Sequence, residues 1–133
     1  MRTAFINELV IQAETDSSLF LVVGDLGYSV VEPFANQFPD RFLNAGVAEQ
    51  NMTTVAAGLA SEGYHVFTYS IANFSTLRCL EQIRNDICYH NLSVTVVAVG
   101  GGRGVRKPRL FASRGSGHRG SEVDAEHDRT QSG

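Results

Sequence analysis

The stretch Leu-Phe-Leu-Val-Val-Gly-Asp, residues 19–25, decides the expected fold class. Its first five residues form a continuous apolar run that does not alternate, and the Gly-Asp pair ends the run. Such a run is typical of a strand buried on both faces of a parallel sheet, whereas a half-exposed antiparallel strand alternates apolar and polar residues. We therefore predict a buried strand over residues 19–23.

Helical and extended patterns alternate around this strand. The recurrence of apolar residues every three to four positions predicts helices over residues 3–14, 48–61 and 73–87. Short apolar runs predict further strands over residues 41–46, 65–69 and 94–99. The last of these strands is expected to be buried like the first, and one face of the last helix is expected to carry Leu77, Leu80, Ile83 and Ile87. The order implies an α/β fold, with a parallel sheet and flanking helices on both sides.

The composition fits a single domain without a membrane segment. The chain has 133 residues, of which 43% are hydrophobic and 19% are charged. No apolar run approaches the roughly 18 residues of a spanning helix, and the N-terminus lacks the pattern of a secretion signal. We therefore expect a cytoplasmic location and no membrane partner. The two cysteines, Cys79 and Cys88, predict neither a disulfide framework nor a structural zinc site.

Charge divides the chain into two parts near Gly102. Residues 1–102 carry 4 basic and 10 acidic side chains, whereas residues 103–133 carry 7 basic and 4 acidic ones. The second part is rich in Arg, Gly and Ser and shows no apolar periodicity. We predict a partial domain over residues 1–102, with its sheet incomplete at the C-terminus. We predict a disordered tail over residues 103–133, because it offers few apolar groups to offset chain entropy.

Three sequence motifs lie where the predicted strands end, which is where parallel α/β sheets bind ligands. They are Gly-Asp-Leu-Gly at residues 24–27, Asn-Ala-Gly-Val-Ala-Glu-Gln-Asn-Met at residues 44–52, and Tyr-Ser-Ile-Ala-Asn-Phe at residues 69–74, followed by Arg-Cys-Leu-Glu-Gln-Ile-Arg-Asn-Asp at residues 78–86. In this order and spacing they resemble the pyrimidine-binding domain of the transketolase family, over residues 1 to about 102. The resemblance is in particular to the separate C-terminal subunit of split, thiamine diphosphate-dependent transketolases. The 1-deoxyxylulose-5-phosphate synthases and the β subunits of 2-oxoacid dehydrogenases share the fold and remain alternatives.

The resemblance implies a cofactor, a substrate class and a partner. The cofactor is thiamine diphosphate, and the reaction is the transfer of a two-carbon ketol group between sugar phosphates. In the family, the diphosphate and Mg²⁺ are held by another domain, whose motif is not found in this sequence. We therefore expect a diphosphate-domain partner subunit, a homo- or hetero-oligomer, and no metal ligand in this chain.

Glu49 is the expected catalytic residue. The resemblance implies that its carboxylate contacts the aminopyrimidine ring of the cofactor and favours the tautomer that removes the thiazolium proton. A carboxylate at the first turn of a helix, next to Val47 and Met52, would also be partly desolvated. The alternative is an ordinary acidic residue at a helix start, which the helix dipole alone favours.

Three further residues are expected at the cofactor site. Phe74 and Tyr69 are candidates to stack on the aminopyrimidine, because a flat cationic ring favours an aromatic wall, although aromatic residues at strand ends also belong to cores. Asp25 follows a predicted buried strand and is expected either to line the site or to hold a loop.

The tail admits two other interpretations. A non-enzymatic, polyanion-binding function could use its basic residues. The acidic body and a single tail aromatic, Phe111, argue against nucleic acid as the partner. The second interpretation is a shifted reading frame.

The family continues after the Gly-rich strand end with a glycine-containing loop and a His-His pair. When residues 105–115 are back-translated with suitable codons and read one base later, they give Phe-Gly-Ser-Leu-Gly-Phe-Ser-His-His-Ala, which resembles that loop. We therefore expect a frameshift near Gly102, either real or a sequencing error, and an inactive chain as given.

Overall fold

Four parallel strands form a single sheet in a computed structural model that describes residues 2–100. The strands are β1 (Leu19–Val23), β2 (Phe42–Asn44), β3 (His65–Ile71) and β4 (Val94–Val99). Their order in the sheet is β2-β1-β3-β4. The predicted α/β class with a parallel sheet and flanking helices is therefore confirmed. The prediction for residues 103–133 lies outside the described residues.

The sheet is flanked by helices and short helical turns. The α-helices are α1 (Arg2–Thr15), α2 (Glu32–Gln37), α3 (Glu49–Ser61), α4 (Ala72–Ser75) and α5 (Leu80–Gln82). The 3₁₀ turns are Pro39–Arg41 and Leu77–Cys79, and a π-helical segment spans Ile83–Cys88. No helix within residues 2–100 is long and apolar enough to cross a membrane.

The strand β1 is buried along its whole length because it has neighbours on every side. It pairs with β2 on one side and with β3 on the other. Leu19, Leu21 and Val23 pack with α1 and α2 on one face. Phe20 and Val22 pack with α3 on the opposite face. This arrangement accounts for the continuous apolar run, since both sets of alternating side chains enter a core.

The predicted helix over residues 73–87 is not continuous, which corrects the sequence interpretation. A 3₁₀ turn and a π-helical segment interrupt it, and both change the angular phase of the residues that follow. Leu77 and Leu80 are consequently 71% and 61% exposed, whereas Ile87 is buried. Cys79 occupies an inward position in their place, with no exposed surface.

The strand β4 is half-exposed rather than buried, which also corrects the prediction. Its six residues alternate between intermediate and exposed surroundings, with two adjacent intermediate residues in the middle. Within the described residues, β4 pairs with β3 alone and lies at the edge of the sheet. An apolar run therefore indicates a strand, but it does not establish that neighbours cover both faces.

The loop after β1 depends on a glycine whose replacement we expect to be costly. Gly27 has a φ of 91°, and an added Cβ would lie 3.0 Å from Val31 Cγ1 and 3.1 Å from Tyr69 Cε1. Gly63 is a matched control, because its φ is 98° but an added Cβ would meet nothing within 4 Å.

We expect Gly63→Ala to lower the free energy of unfolding by about 1–2 kcal/mol through backbone strain alone. Gly27→Ala should lower it by at least about 1 kcal/mol more, because the methyl group also overpacks the core. Urea denaturation of both variants measures the difference. Equal losses would show that the loop is not packed against Tyr69 as described.

Candidate functional site

An open cleft lies at the carboxyl end of the sheet, where α3 begins. Its volume is about 280 Å³, and it is lined by Val47, Ala48, Glu49, Gln50, Asn51 and Arg78. All but Arg78 belong to the second sequence motif or the first turns of α3. Glu49 is the first residue of the helix, so its negative charge is favoured by the positive end of the helix dipole.

The carboxylate of Glu49 is buried and hydrogen-bonded. The residue is 3% exposed. The hydroxyl of Ser70, at the end of β3, donates to Glu49 Oε1 at 3.1 Å. The guanidinium of Arg78 lies 3.5 Å from Glu49 Oε2 and forms the only ion pair within residues 2–100. These donors compensate a charge that would be costly to bury alone.

The end of β1 approaches the same carboxylate. Gly24 follows the last residue of the strand, and its N–H donates to the Tyr69 carbonyl oxygen at 3.2 Å. A Cβ added to Gly24 would lie 3.2 Å from Ser70 Oγ and 3.4 Å from Glu49 Cγ. A residue without a side chain therefore lets the backbone of β1 lie directly against Glu49 and Ser70.

Phe74 is connected to the cleft through Arg78. The residue is 36% exposed, and Arg78 Cζ lies 4.2 Å from the centre of its ring. The backbone around this pair is hydrogen-bonded, since the Cys79 thiol donates to the Phe74 carbonyl at 3.0 Å. In addition, Gln50 Nε2 donates to the Arg78 carbonyl at 3.1 Å. The arginine thus lies between an aromatic ring and the buried carboxylate.

Asp25 holds two loops together. It has a left-handed φ of 54°, and its N–H donates to Asn44 Oδ1 at 3.1 Å. Asn44 Nδ2 in turn donates to Asp25 Oδ1 at 2.9 Å. The N–H of Gly46 donates to Asn44 Oδ1 at 3.0 Å, which extends the connection toward Glu49. The pKa of the Tyr28 hydroxyl, which donates to Asp25, is raised chiefly by the negative charge of Asp25.

Of the four predicted site residues, Glu49 alone lines the cleft. Phe74 and Asp25 are connected to it through Arg78 and Asn44, whereas Tyr69 lies on the other face of the sheet. Consecutive residues of a strand point to opposite faces, so Tyr69 faces α1 while Ser70 faces Glu49. Its ring has no exposed surface and stacks on Phe5, with 6.3 Å between the ring centres. Burial raises the pKa of its hydroxyl, because desolvation disfavours the phenolate. The Tyr69 ring therefore packs against the loop at Gly27.

The chemistry of the cleft suits a flat, nitrogen-containing ring. A buried carboxylate accepts hydrogen bonds from ring N–H groups or shares a proton with a ring nitrogen. The Phe74 ring does not line the cleft and is in contact with the Arg78 guanidinium, as a planar cation favours. Within the described part of the chain, no three His, Cys, Asp or Glu side chains form a group that could hold a metal ion.

Comparison with known proteins assigns the family. A family model described as "Transketolase, pyrimidine binding domain" matches residues 1–108. The chain belongs to this transketolase family. The resemblance carried by the three sequence motifs is therefore confirmed.

Relatives of the transketolase domain include both transketolases and synthases. A protein of Methanocaldococcus jannaschii named "Putative transketolase C-terminal section" is 42% identical over 103 residues, covering 77% of this chain and 33% of the relative. A "1-deoxy-D-xylulose-5-phosphate synthase" of Listeria monocytogenes is 34% identical over 115 residues, covering 86% of this chain and 18% of the enzyme. This transketolase domain thus spans a third or less of these relatives.

A solved structure supports the same assignment. The structure titled "Split gene transketolase, inactive beta4 tetramer" matches with a TM-score of 0.67 and 40% identity. The match covers 73% of this chain and 33% of that one. The four-stranded parallel sheet therefore has the fold of a transketolase pyrimidine-binding domain.

The structure brings together some of the predicted site residues of the transketolase domain and adds others. Arg78 contacts both Glu49 and Phe74, and Asp25 lies in the loop after β1, hydrogen-bonded to Asn44. The sequence motifs contain Ser70 and Asn44 but do not mark them as functional. Their position in the sheet is the one sequence signal that could have indicated a functional role. Ser70 lies near the carboxyl end of a parallel strand, and Asn44 is the last residue of another.

Proposed function

We propose that this chain contributes Glu49 to a thiamine diphosphate site in a transketolase-type enzyme that transfers two-carbon ketol groups between sugar phosphates. The observation that carries the proposal is the buried carboxylate of Glu49, held by Ser70 beside an open cleft. A partner subunit would supply the diphosphate and Mg²⁺ sites, which is supported by the relative named as a C-terminal section and by the split-gene structure.

The residues present fit the aminopyrimidine of this cofactor. When bound, thiamine diphosphate supplies an electron sink for cleaving the carbon–carbon bond of a ketose. Glu49 would bind a ring nitrogen through its carboxylate and share a proton there. Phe74 would offer a stacking surface, and Asp25 would hold the loop that precedes α3 through Asn44. Tyr69 would act indirectly, by supporting the loop at Gly27.

Exposed apolar side chains support a partner subunit near the cleft. Val47 lines the cleft and is 76% exposed, and Leu77 and Leu80, which flank Arg78 in the sequence, are also exposed. Large exposed apolar side chains are common at interaction surfaces. The relative named as a C-terminal section and the split-gene structure further support a chain that works with an N-terminal subunit.

The proposal is tested by an assay with that subunit. The frame-restored chain, in which codons from about 103 onward are read one base later, is mixed with the N-terminal subunit of a split transketolase, thiamine diphosphate and Mg²⁺. Ketol transfer between sugar phosphates would support the proposal. A mixture that neither transfers ketol groups nor binds the cofactor would contradict it.

A second candidate activity is that of a 1-deoxy-D-xylulose-5-phosphate synthase, which the 34% identity to the Listeria enzyme supports. Both candidates use Glu49 in the same way, so the site does not separate them. The product does, because formation of 1-deoxy-D-xylulose 5-phosphate by the same mixture would select the synthase.

Ser70 provides a prediction about how Glu49 is held. We expect Ser70→Ala to lower turnover of the frame-restored chain with its partner about tenfold, because one donor to a buried carboxylate is lost. Thr68→Val is the matched control, since Thr68 is also buried on β3 but its hydroxyl has no partner among the described residues. Steady-state kinetics at saturating cofactor measure both variants. Unchanged turnover of Ser70→Ala would remove Ser70 from the site.

A further inference from the structure

Arg78 occupies the two surfaces that the proposed function assigns to the pyrimidine. Its Cζ lies 4.2 Å from the centre of the Phe74 ring, and its Nη1 lies 3.5 Å from Glu49 Oε2. The other carboxylate oxygen, Oε1, already accepts from Ser70 at 3.1 Å. The guanidinium therefore covers an aromatic surface and the carboxylate oxygen that Ser70 does not bind.

A guanidinium resembles the proposed ligand in shape and charge. It is planar and cationic, carries several N–H donors, and stacks on aromatic rings. It also compensates the charge of Glu49 while the cleft is open to solvent, which matters because that carboxylate is buried.

We propose that, without cofactor, the Arg78 side chain occupies the position of the pyrimidine against Glu49 and Phe74. The cofactor displaces this side chain when it binds. This inference rests on the proposed function, since it needs a ring that binds Glu49. Arg78 is accordingly a positioning residue that competes with the cofactor, and it is not a ligand of the cofactor.

The structure makes the arginine side chain easy to displace. It is 49% exposed, against 2% for Glu49, so solvent can receive the guanidinium. Half-exposed ion pairs and exposed cation–π contacts are each weak. The backbone has a hydrogen bond of its own, since Gln50 Nε2 donates to the Arg78 carbonyl at 3.1 Å. Only the side chain has to move.

The direction in which removal of Arg78 changes the affinity for the cofactor distinguishes competition from direct binding. A ligand that needs a partly populated open state binds more weakly by the fraction of that state. Removal of Arg78 should therefore tighten binding of thiamine diphosphate, whereas removal of a cofactor ligand would weaken it.

The experiment measures the Kd of thiamine diphosphate for the 133-residue chain in complex with the N-terminal subunit of a split transketolase. We expect Arg78→Ala to lower the Kd about tenfold. This change corresponds to a binding-competent fraction of about one tenth in the unchanged chain. Arg84→Ala, which removes the same charge from an exposed residue of the π-helical segment, should leave the Kd unchanged. An equal or higher Kd for Arg78→Ala would overturn the inference.

The Nε resonance of Arg78 in arginine-labelled protein gives a second readout. Without cofactor it should be shifted by the Phe74 ring, and Phe74→Leu should abolish the shift. Addition of thiamine diphosphate should also abolish it, whereas a shift that persists in the loaded complex would overturn the inference.

Glu49→Gln separates the two proposals. Binding that depends on Glu49 but is not tightened by Arg78→Ala would overturn the inference alone. Absence of binding both in every variant of the 133-residue chain and in the frame-restored chain, or binding unaffected by Glu49→Gln, would overturn the proposed function and the inference with it.

Discussion

Replacement of Glu49 by glutamine is expected to lower turnover of the frame-restored chain, with its N-terminal partner, by about 10²-fold or more. The amide has nearly the same shape as the carboxylate, but it cannot share a proton with a ring nitrogen in the same way. The carboxylate is 3% exposed and held by Ser70, so water does not readily replace it. Steady-state turnover at saturating thiamine diphosphate measures the effect.

Glu62→Gln is the matched control for this prediction. Glu62 is exposed at the opposite end of α3, so the same substitution changes the net charge equally without touching the cleft. Its turnover should match that of the unchanged chain. Near-normal turnover of Glu49→Gln at saturating cofactor would exclude Glu49 from the mechanism.

The second large effect is expected from the reading frame of the tail. We predict that the 133-residue chain shows no ketol transfer even with the partner, whereas the frame-restored chain is active. Val99 pairs with Ile71, which directly precedes the helix that carries Phe74. The chain therefore leaves the sheet beside the proposed site. In the family the next segment is expected to enclose the reacting groups. Its replacement would therefore remove positioning and proton transfer together, and the remaining groups would not compensate.

Parallel assays of the two chains with the same partner test this prediction. A single base restored near codon 103 is the only difference between them, and Glu49 is intact in both. Equal activity would show that the tail is a functional natural sequence and that the frameshift interpretation is wrong. The nucleotide sequence across codons 99–133 provides an independent check.

The parts of the fold that follow from local sequence were predictable. The non-alternating run at residues 19–23 predicted β1 with its bounds, and the apolar spacing after residue 48 predicted α3. The prediction of the third helix was wrong from Leu77 onward, because helical periodicity does not reveal a 3₁₀ turn that changes which face the following residues occupy. The prediction that β4 is buried was wrong, because the number of neighbours of a strand depends on the whole sheet.

The site was predictable only where a motif marks it. Glu49 and Phe74 lie in the family motifs, but helical spacing favours a pair between Arg78 and Glu81. The structure instead pairs Arg78 with Glu49, which lies 29 positions away in the chain. The bond from Ser70 to Glu49 likewise depends on the packing of α3 against β3. Contacts between distant segments arise from the fold and carry no local signal.

The role proposed for Glu49 is to bind the pyrimidine of thiamine diphosphate. A crystal structure of the frame-restored chain with its N-terminal partner and thiamine diphosphate tests it most directly. We expect a carboxylate oxygen of Glu49 within about 2.6–3.2 Å of a pyrimidine ring nitrogen, and the Arg78 guanidinium displaced from Phe74. A pyrimidine bound elsewhere, with the pair between Arg78 and Glu49 intact, would contradict this role of Glu49.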